Sequence, residues 1–475
     1  MKIERINSFQ YNITNSTPIR KLQEAKEGSL VELPNVSQSI AFQGNLVKYF
    51  GAKNYLKNEV APMLKDKTLK DAVDLFSLDL KKLEGIQEGI KVFNGMTMKE
   101  IAFLLTTVSE FATIRGCHNN CAHCYGDAKP TIKESTTHTG RMLWEDFTAL
   151  FSGIKELNQR LGFYASGLKM KDDERYLTTF HDSDCIETVI KDRLGVEHDF
   201  IELANIIYDA MGTRVILDTA GWNLTNKAAQ KRAEKFVEYY KNPENREILD
   251  QINISFSPFQ SINRKSVELR KENKIELADK LRDIYTTRMA NVLYTFTPLH
   301  KSKKFSVLSS CAPDGKEFDG YKAEDTRELF SETIAKLRDL YTQDLEGEQN
   351  FVKSKKEIAS RISTLKKQFI KPRVITFAER AKRNFGSENE NSKKVDKYVS
   401  DYIEYLNSVE EKTINEYRKD FVGVIDSNGK YYMTNYFFSI PTELRLNFKN
   451  EKETPPIKPN LLDELKITRS MINNF

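Results

Sequence analysis

The chain has 475 residues, 39% hydrophobic and 30% charged, and its 73 basic against 68 acidic side chains leave a net charge of +5. That length exceeds one average domain and allows a large core with additions, while so mild a positive balance does not point to nucleic acid. No apolar run approaches a membrane span, no secretory-signal core opens the chain, and five cysteines, three of them clustered, do not read as a disulfide framework, so a reducing, cytoplasmic setting is expected.

Residues 1–44 are rich in Asn, Ser, Gln and Thr without a sustained period and read as a poorly ordered leader. Residues 45–105 turn helical. Leu64, Leu69, Ala72, Val73 and Phe76 recur at helical spacing behind a Thr68 cap, forming a helical preface.

Strands and helices alternate over 106–385. Strands are predicted at 111–114, 176–180, 214–218, 251–256 and 292–296, with a sixth, late, at 372–377. Helices are predicted at 144–161, at 199–211, at 225–240 behind a Thr225 cap, and at 267–290. Residues 301–372 read as a helical insertion before the last strand, with helices near 324–341 and 351–370. The second is amphipathic and basic, its Lys and Arg residues forming a solvated face opposite Ile358, Ile362, Leu365 and Phe369, or, as the alternative, a docking surface for an acidic partner or substrate. Regular alternation implies parallel strands joined by right-handed crossovers, with chemistry at the strands' C-terminal ends. Residues 386–475 read as a small α+β extension. It holds a polar linker over 386–394, a helix over 395–406 and a β-hairpin over 421–433 that turns at Asp426-Ser427-Asn428-Gly429.

The chemistry concentrates in Thr113-Ile-Arg-Gly-Cys-His-Asn-Asn-Cys-Ala-His-Cys-Tyr-Gly126, where Cys117, Cys121 and Cys124 are spaced C-x3-C-x2-C directly after the first predicted strand. Three thiolates satisfy three irons of a cubane cluster and leave the fourth open, whereas four would make a closed electron carrier. Closely spaced cysteines also suit zinc. With His118, His123, His138 or His181 they would form a Cys3His site of a non-catalytic interaction protein.

Motif and alternation together resemble the radical S-adenosylmethionine (SAM) enzymes. The resemblance implies an α/β fold of partial six-stranded (β/α) barrel type, here with the helical preface and the C-terminal extension. It also implies two cofactors, a [4Fe–4S] cluster on Cys117, Cys121 and Cys124, and SAM, with reductive cleavage of SAM to a 5′-deoxyadenosyl radical that takes hydrogen from a substrate. His123 then falls where the family places a flat residue near adenine, and Tyr125 stands beside the cluster. Asp182-Ser183-Asp184, after the second strand, either takes the place of the motif that holds SAM's amino group, with Asp184 in the position of its glutamate, or forms an acidic loop that caps the next helix. Ser255 matches a polar residue near the ribose. Such enzymes take electrons from a flavodoxin or ferredoxin and work at low oxygen. The hairpin resembles those of peptide-modifying members, so a peptide or protein substrate is expected, with RNA or a small metabolite as the alternative. No cysteine follows Cys311 to carry auxiliary clusters. Asp218 either meets substrate or, as preferred, caps the turn at 219–222. Cys185, Trp222 and Tyr294 read as packing residues.

Overall fold

Six strands run parallel and lie side by side in the order in which the chain makes them: β1 (Val108–Ala112), β2 (Tyr176–Thr178), β3 (Arg214–Thr219), β4 (Leu249–Phe256), β5 (Phe305–Cys311) and β6 (Arg373–Val374). The computed structural model describes residues 91–121, 124, 140–161, 176–180, 183–312, 317, 321–344, 351–369, 373–374, 390–408, 421–435, 439–449 and 465–473. The leader, the helical pattern around 64–76, and His123, Tyr125, His138, His181 and Asp182 lie outside these residues.

Helices supply the crossovers: α1 (Met98–Thr107) precedes β1, α2 (Trp144–Leu161) follows it, and α3 (Phe200–Met211), α4 (Lys227–Lys241), α5 (Ser261–Lys271), α6 (Ile275–Thr295), α7 (Ala323–Asp344) and α8 (Phe351–Gln368) come in turn. The protein is therefore α/β with a mostly parallel central sheet. Local chemistry sets the helix ends. Asp199 accepts from the N–H groups of Ile201 and Glu202 at the start of α3, and Gly212 takes the left-handed conformation (φ +61°) that ends it. Asn226, not Thr225, caps α4 by accepting from Ala229 N–H, because Thr225 turns its hydroxyl onto Asn223.

Strand one sits earlier than expected, since the chain breaks at Thr113 and residues 114–115 pair with 140–141 instead. The larger correction concerns strand five. Residues 292–296 complete helix α6 and the turn after it, and β5 lies inside the stretch read as an insertion. Buried Ala278, Tyr285, Met289, Val292 and Phe296 carry the helical period straight through the apolar run. A short apolar run alone does not distinguish helix from strand. Helices α7 and α8 are thus the crossover from β5 to β6. On α8, Ile362 and Leu365 are buried and Lys356, Lys366 and Lys367 exposed, as the amphipathic pattern predicts.

The sheet continues beyond β1. Strand β7 (Val422–Asp426) pairs parallel with β1, and β8 (Lys430–Thr434) and β9 (Ser439–Arg445) follow antiparallel. The predicted hairpin is present and turns at Gly429 with φ +81°, where glycine carries no steric penalty. Its helix, α9 (Glu390–Ser408), begins inside the predicted linker.

Side chains of β3 to β5 separate by face. Phe256 packs against Tyr285, Phe330 and Phe369 of the helical layer with ring centroids 5.7, 5.5 and 6.0 Å apart, and Ile252 and Ile254 share its side by the strand's period of two. Each such burial contributes about 1.5–3 kcal/mol. The other face is mainly polar: Gln251, Asn253 and Ser255 alternate along β4, flanked by Asp218 on β3 and Ser306 on β5, with Ile216 and Leu308 as its apolar neighbours. A parallel sheet packed by helices on both sides reads as continuous apolar strands. These strands have one apolar side.

Candidate metal-cluster site

The cysteine loop leaves the sheet at the C-terminal end of β1. Gly116 adopts φ +110°, a conformation open to glycine, and turns the chain out of the 114–115 bridge into Cys117. Asn120 is left-handed (φ +39°), a state its short polar side chain tolerates. An N–H of Cys124 to the carbonyl of Cys121 (3.2 Å) closes a turn between the last two thiols.

Three consecutive loop carbonyls are held from the start of α5. Ser261 Oγ donates to His118 O (3.3 Å), Ser261 N–H to Asn119 O (2.9 Å) and the Arg264 guanidinium to Asn120 O (3.1 Å). From α6, Arg288 donates to the Asn119 side-chain oxygen (3.3 Å) and to Gln260. The loop is thereby fixed over the C-terminal end of β4. Beside it lies a cavity of about 180 Å³ lined in part by His118, Asn119, Ser261 and Arg288.

No disulfide joins any two of the five cysteines. Cys117, Cys121 and Cys124 are half-buried. Burial pushes the Cys117 thiol well above its usual range, and the charges of Asp184 and Cys121 push further. Cys121 is pushed up to about 12 by burial and by Cys124, against the opposing charges of Arg288 and Arg264. The thiols thus feel one another's charge. Among the described residues, however, no three His, Cys, Asp or Glu side chains converge as metal ligands do. The donor set still fits an iron–sulfur cluster: three soft ligands on one clamped loop, an amide N–H donated by Asn119 to Cys117 Sγ (3.7 Å), and cationic side chains alongside. Cys185 stands apart, buried and donating to Asp218 O (3.1 Å), a packing thiol as expected.

Asp184 lies next to this loop, 3% exposed, and both its oxygens are engaged. It accepts from Ile186 N–H (3.0 Å), Glu187 N–H (3.2 Å), the Thr219 hydroxyl (2.9 Å) and Ala220 N–H (2.8 Å). Burial raises its pKa, and the charge of His118 works against that. The residue read as an ammonium acceptor is thus also a bracket that ties the loop after β2 to the loop after β3. Its neighbour Ser183 has a buried hydroxyl with no partner among the described residues. Glu187, which the sequence reading missed, meets His118 at 2.6 Å. Burial alone would raise its pKa, but the hydrogen bond and charge of His118 outweigh that and lower it.

On the sheet's polar face, Asn253 donates to Asp218 (2.8 Å), the Ser306 hydroxyl donates to Asn253 (2.6 Å), and Gln251 donates to Ser306 (3.1 Å). Asp218 therefore does not cap the turn after β3. Thr219 does, accepting from Gly221 N–H. Burial pushes Asp218 up to about 6, Asn253 pulls it down, and the charges of Glu110 and Asp184 add to the rise. Ser255 is half-buried on the same face, one step further along β4. Trp222 and Tyr294 pack in the core as predicted. The polar alternation of β4 was the available signal for this network. Arg288, on a helix with no motif, carried none. No protein-family model, curated protein or solved structure matches this chain.

Proposed function

We propose that the protein is a radical SAM enzyme. The observation that carries this reading is the placement of a clamped C-x3-C-x2-C loop at the C-terminal end of the first of six parallel strands that lie in unbroken chain order. A doubly wound sheet reverses its order within the βαβ run; here the six βα units run without reversal, and β7 joins the far side of β1 only as the first strand of the C-terminal hairpin. The polar face of β3 to β5 supports the same reading, because a barrel of this kind turns one face of its sheet toward bound ligands.

Cys117, Cys121 and Cys124 would hold three irons of a [4Fe–4S] cluster, with the fourth left to the amino and carboxylate groups of SAM. When bound, these groups supply one-electron cleavage of the SAM sulfonium and, from it, the oxidant that takes a hydrogen atom from substrate. The protein's part is ligation, orientation and exclusion of water. The loop clamp from α5 fixes the thiols, and the raised thiol pKa values mean that metal uptake releases protons. Ser183 and Asp184 would meet SAM's amino group, and Ser255 its ribose. Asp218, Asn253 and Ser306 would line the substrate side. That lining suits a polar substrate, with a peptide or protein segment proposed first and a small polar metabolite second. Its acidic member Asp218 weighs against a polyanion such as RNA.

The test is anaerobic reconstitution. The expected protein is brown, holds about four irons and, reduced with dithionite, converts SAM to 5′-deoxyadenosine. A colourless protein that takes up one zinc per chain in place of iron overturns the proposal in favour of a zinc-dependent interaction protein.

A further inference from the structure

Arg288 is 6% exposed, a guanidinium inside the protein. Its partners are neutral: the side-chain oxygens of Asn119 and Gln260, and the ring of Tyr285 with its centroid 5.5 Å away. No carboxylate among the described residues pairs with it. A buried charge without a counter-charge is costly, by several kcal/mol in general, and persists where something nearby supplies the opposite sign. The thiol of Cys121 lies within range of its charge.

Asn119 makes the link directional. It is 3% exposed, and its two ends face different groups. A guanidinium only donates, so the end turned to Arg288 is the oxygen, which leaves the amide N–H to donate to Cys117 Sγ. Arg288 thus fixes the amide's orientation and polarises it toward the sulfur.

We infer that Arg288 and Asn119 form a relay that stabilises added negative charge on the thiolate-bound centre, making Arg288 a positioning residue that sets its reduction potential. The inference rests on the enzyme reading above. Hydrogen bonds to cluster sulfurs and nearby charge are established levers on iron–sulfur potentials. Adding one electron from an external donor makes the centre more negative, so a cation and an N–H donor favour the reduced state.

The experiment uses the reconstituted full chain, with the iron content measured first and the midpoint potential then measured by dithionite titration followed by electron paramagnetic resonance. Arg288→Met is expected to keep the wild-type iron content and to lose about tenfold in reduced-to-oxidised ratio at fixed potential, which is a shift of about 59 mV downward for one electron. Arg288→Lys restores charge without the fork and is expected to recover part of it. Asn119→Ala is expected to shift the same way, and the double variant by less than the sum of the two, because both act through one amide. If Arg288→Met loses iron, the lysine and Asn119 variants carry the measurement. Full iron with an unchanged potential overturns this inference alone. A wild-type chain that forms no iron–sulfur centre overturns the enzyme reading and this inference together.

Discussion

Asn253 donates its side-chain amide to the Asp218 carboxylate across 2.8 Å, from β4 to β3, in the register that sets the two residues opposite each other. Burial wins over this hydrogen bond, and the Asp218 pKa stands near 6 against an ordinary value of 3.8. The folded protein therefore holds a proton there that the unfolded chain gives up near pH 4. Between about pH 4 and 6, this group's contribution to stability falls as the pH rises. Asp218→Asn keeps an acceptor for Asn253 and removes the charge. Urea midpoints across that window are expected to lose this slope in the variant, and at pH 7 the variant is expected to gain about 1 kcal/mol. A variant less stable than wild type at pH 7 would mean that the carboxylate is paired with a cation.

Asp184→Ala removes the bracket between two loops and leaves Ala220 N–H and the Thr219 hydroxyl without their acceptor. Each unmet buried donor costs about 1–3 kcal/mol, so a loss on the order of 3 kcal/mol is expected by chemical denaturation. Iron content after reconstitution is expected to stay near wild type. Wild-type stability combined with abolished SAM binding would make Asp184 a ligand only.

Substituting the thiols separates the loop from the packing cysteines. Cys121→Ala is expected to abolish cluster assembly, and Cys185→Ser to leave the iron count at about four, as is Cys311→Ser. Iron retained by Cys121→Ala would exclude the loop as the site.

Gly423 on β7 sits against the Tyr431 ring. A Cβ there would lie 2.0 Å from the tyrosine oxygen, which also meets the Thr107 hydroxyl at 2.5 Å. Gly423→Ala must push the ring aside and break that contact, at a cost of about 1–3 kcal/mol. Gly423→Ala with Tyr431→Phe, which removes the clashing oxygen, is expected to lose less than the sum of the two single changes. Additive losses in thermal denaturation would show that the tyrosine oxygen is not the obstacle.

What the sequence discloses here is what is local. Cys117, Cys121 and Cys124 are legible because their spacing is covalent, β3 because Val215-Ile216-Leu217 is a short β-branched apolar run, and β4 because Ile252 and Ile254 mark one face by simple alternation. β5 escapes because Phe305-Ser-Val-Leu-Ser-Ser-Cys311 carries three serines in seven residues, while the more apolar 292–296 run beside it is the end of a helix. Arg288 and Asn119 meet across 169 residues, with a helix placing one and a loop the other, so only the fold brings them together. The role of Asp184 as a bracket is hidden for the same reason, since Thr219 and Ala220 reach it from the next crossover.

The parallel pairing of β7 with β1 has a consequence for how the protein is made. The strand that launches the cysteine loop has its second neighbour only when residues 422–426 arrive, roughly three hundred residues later in synthesis. At about 5–20 residues per second, that is some tens of seconds on the ribosome. Throughout that interval β1 is an open edge, able to recruit any passing strand. A nascent chain stalled before residue 422 carries all three thiols on an unfinished support.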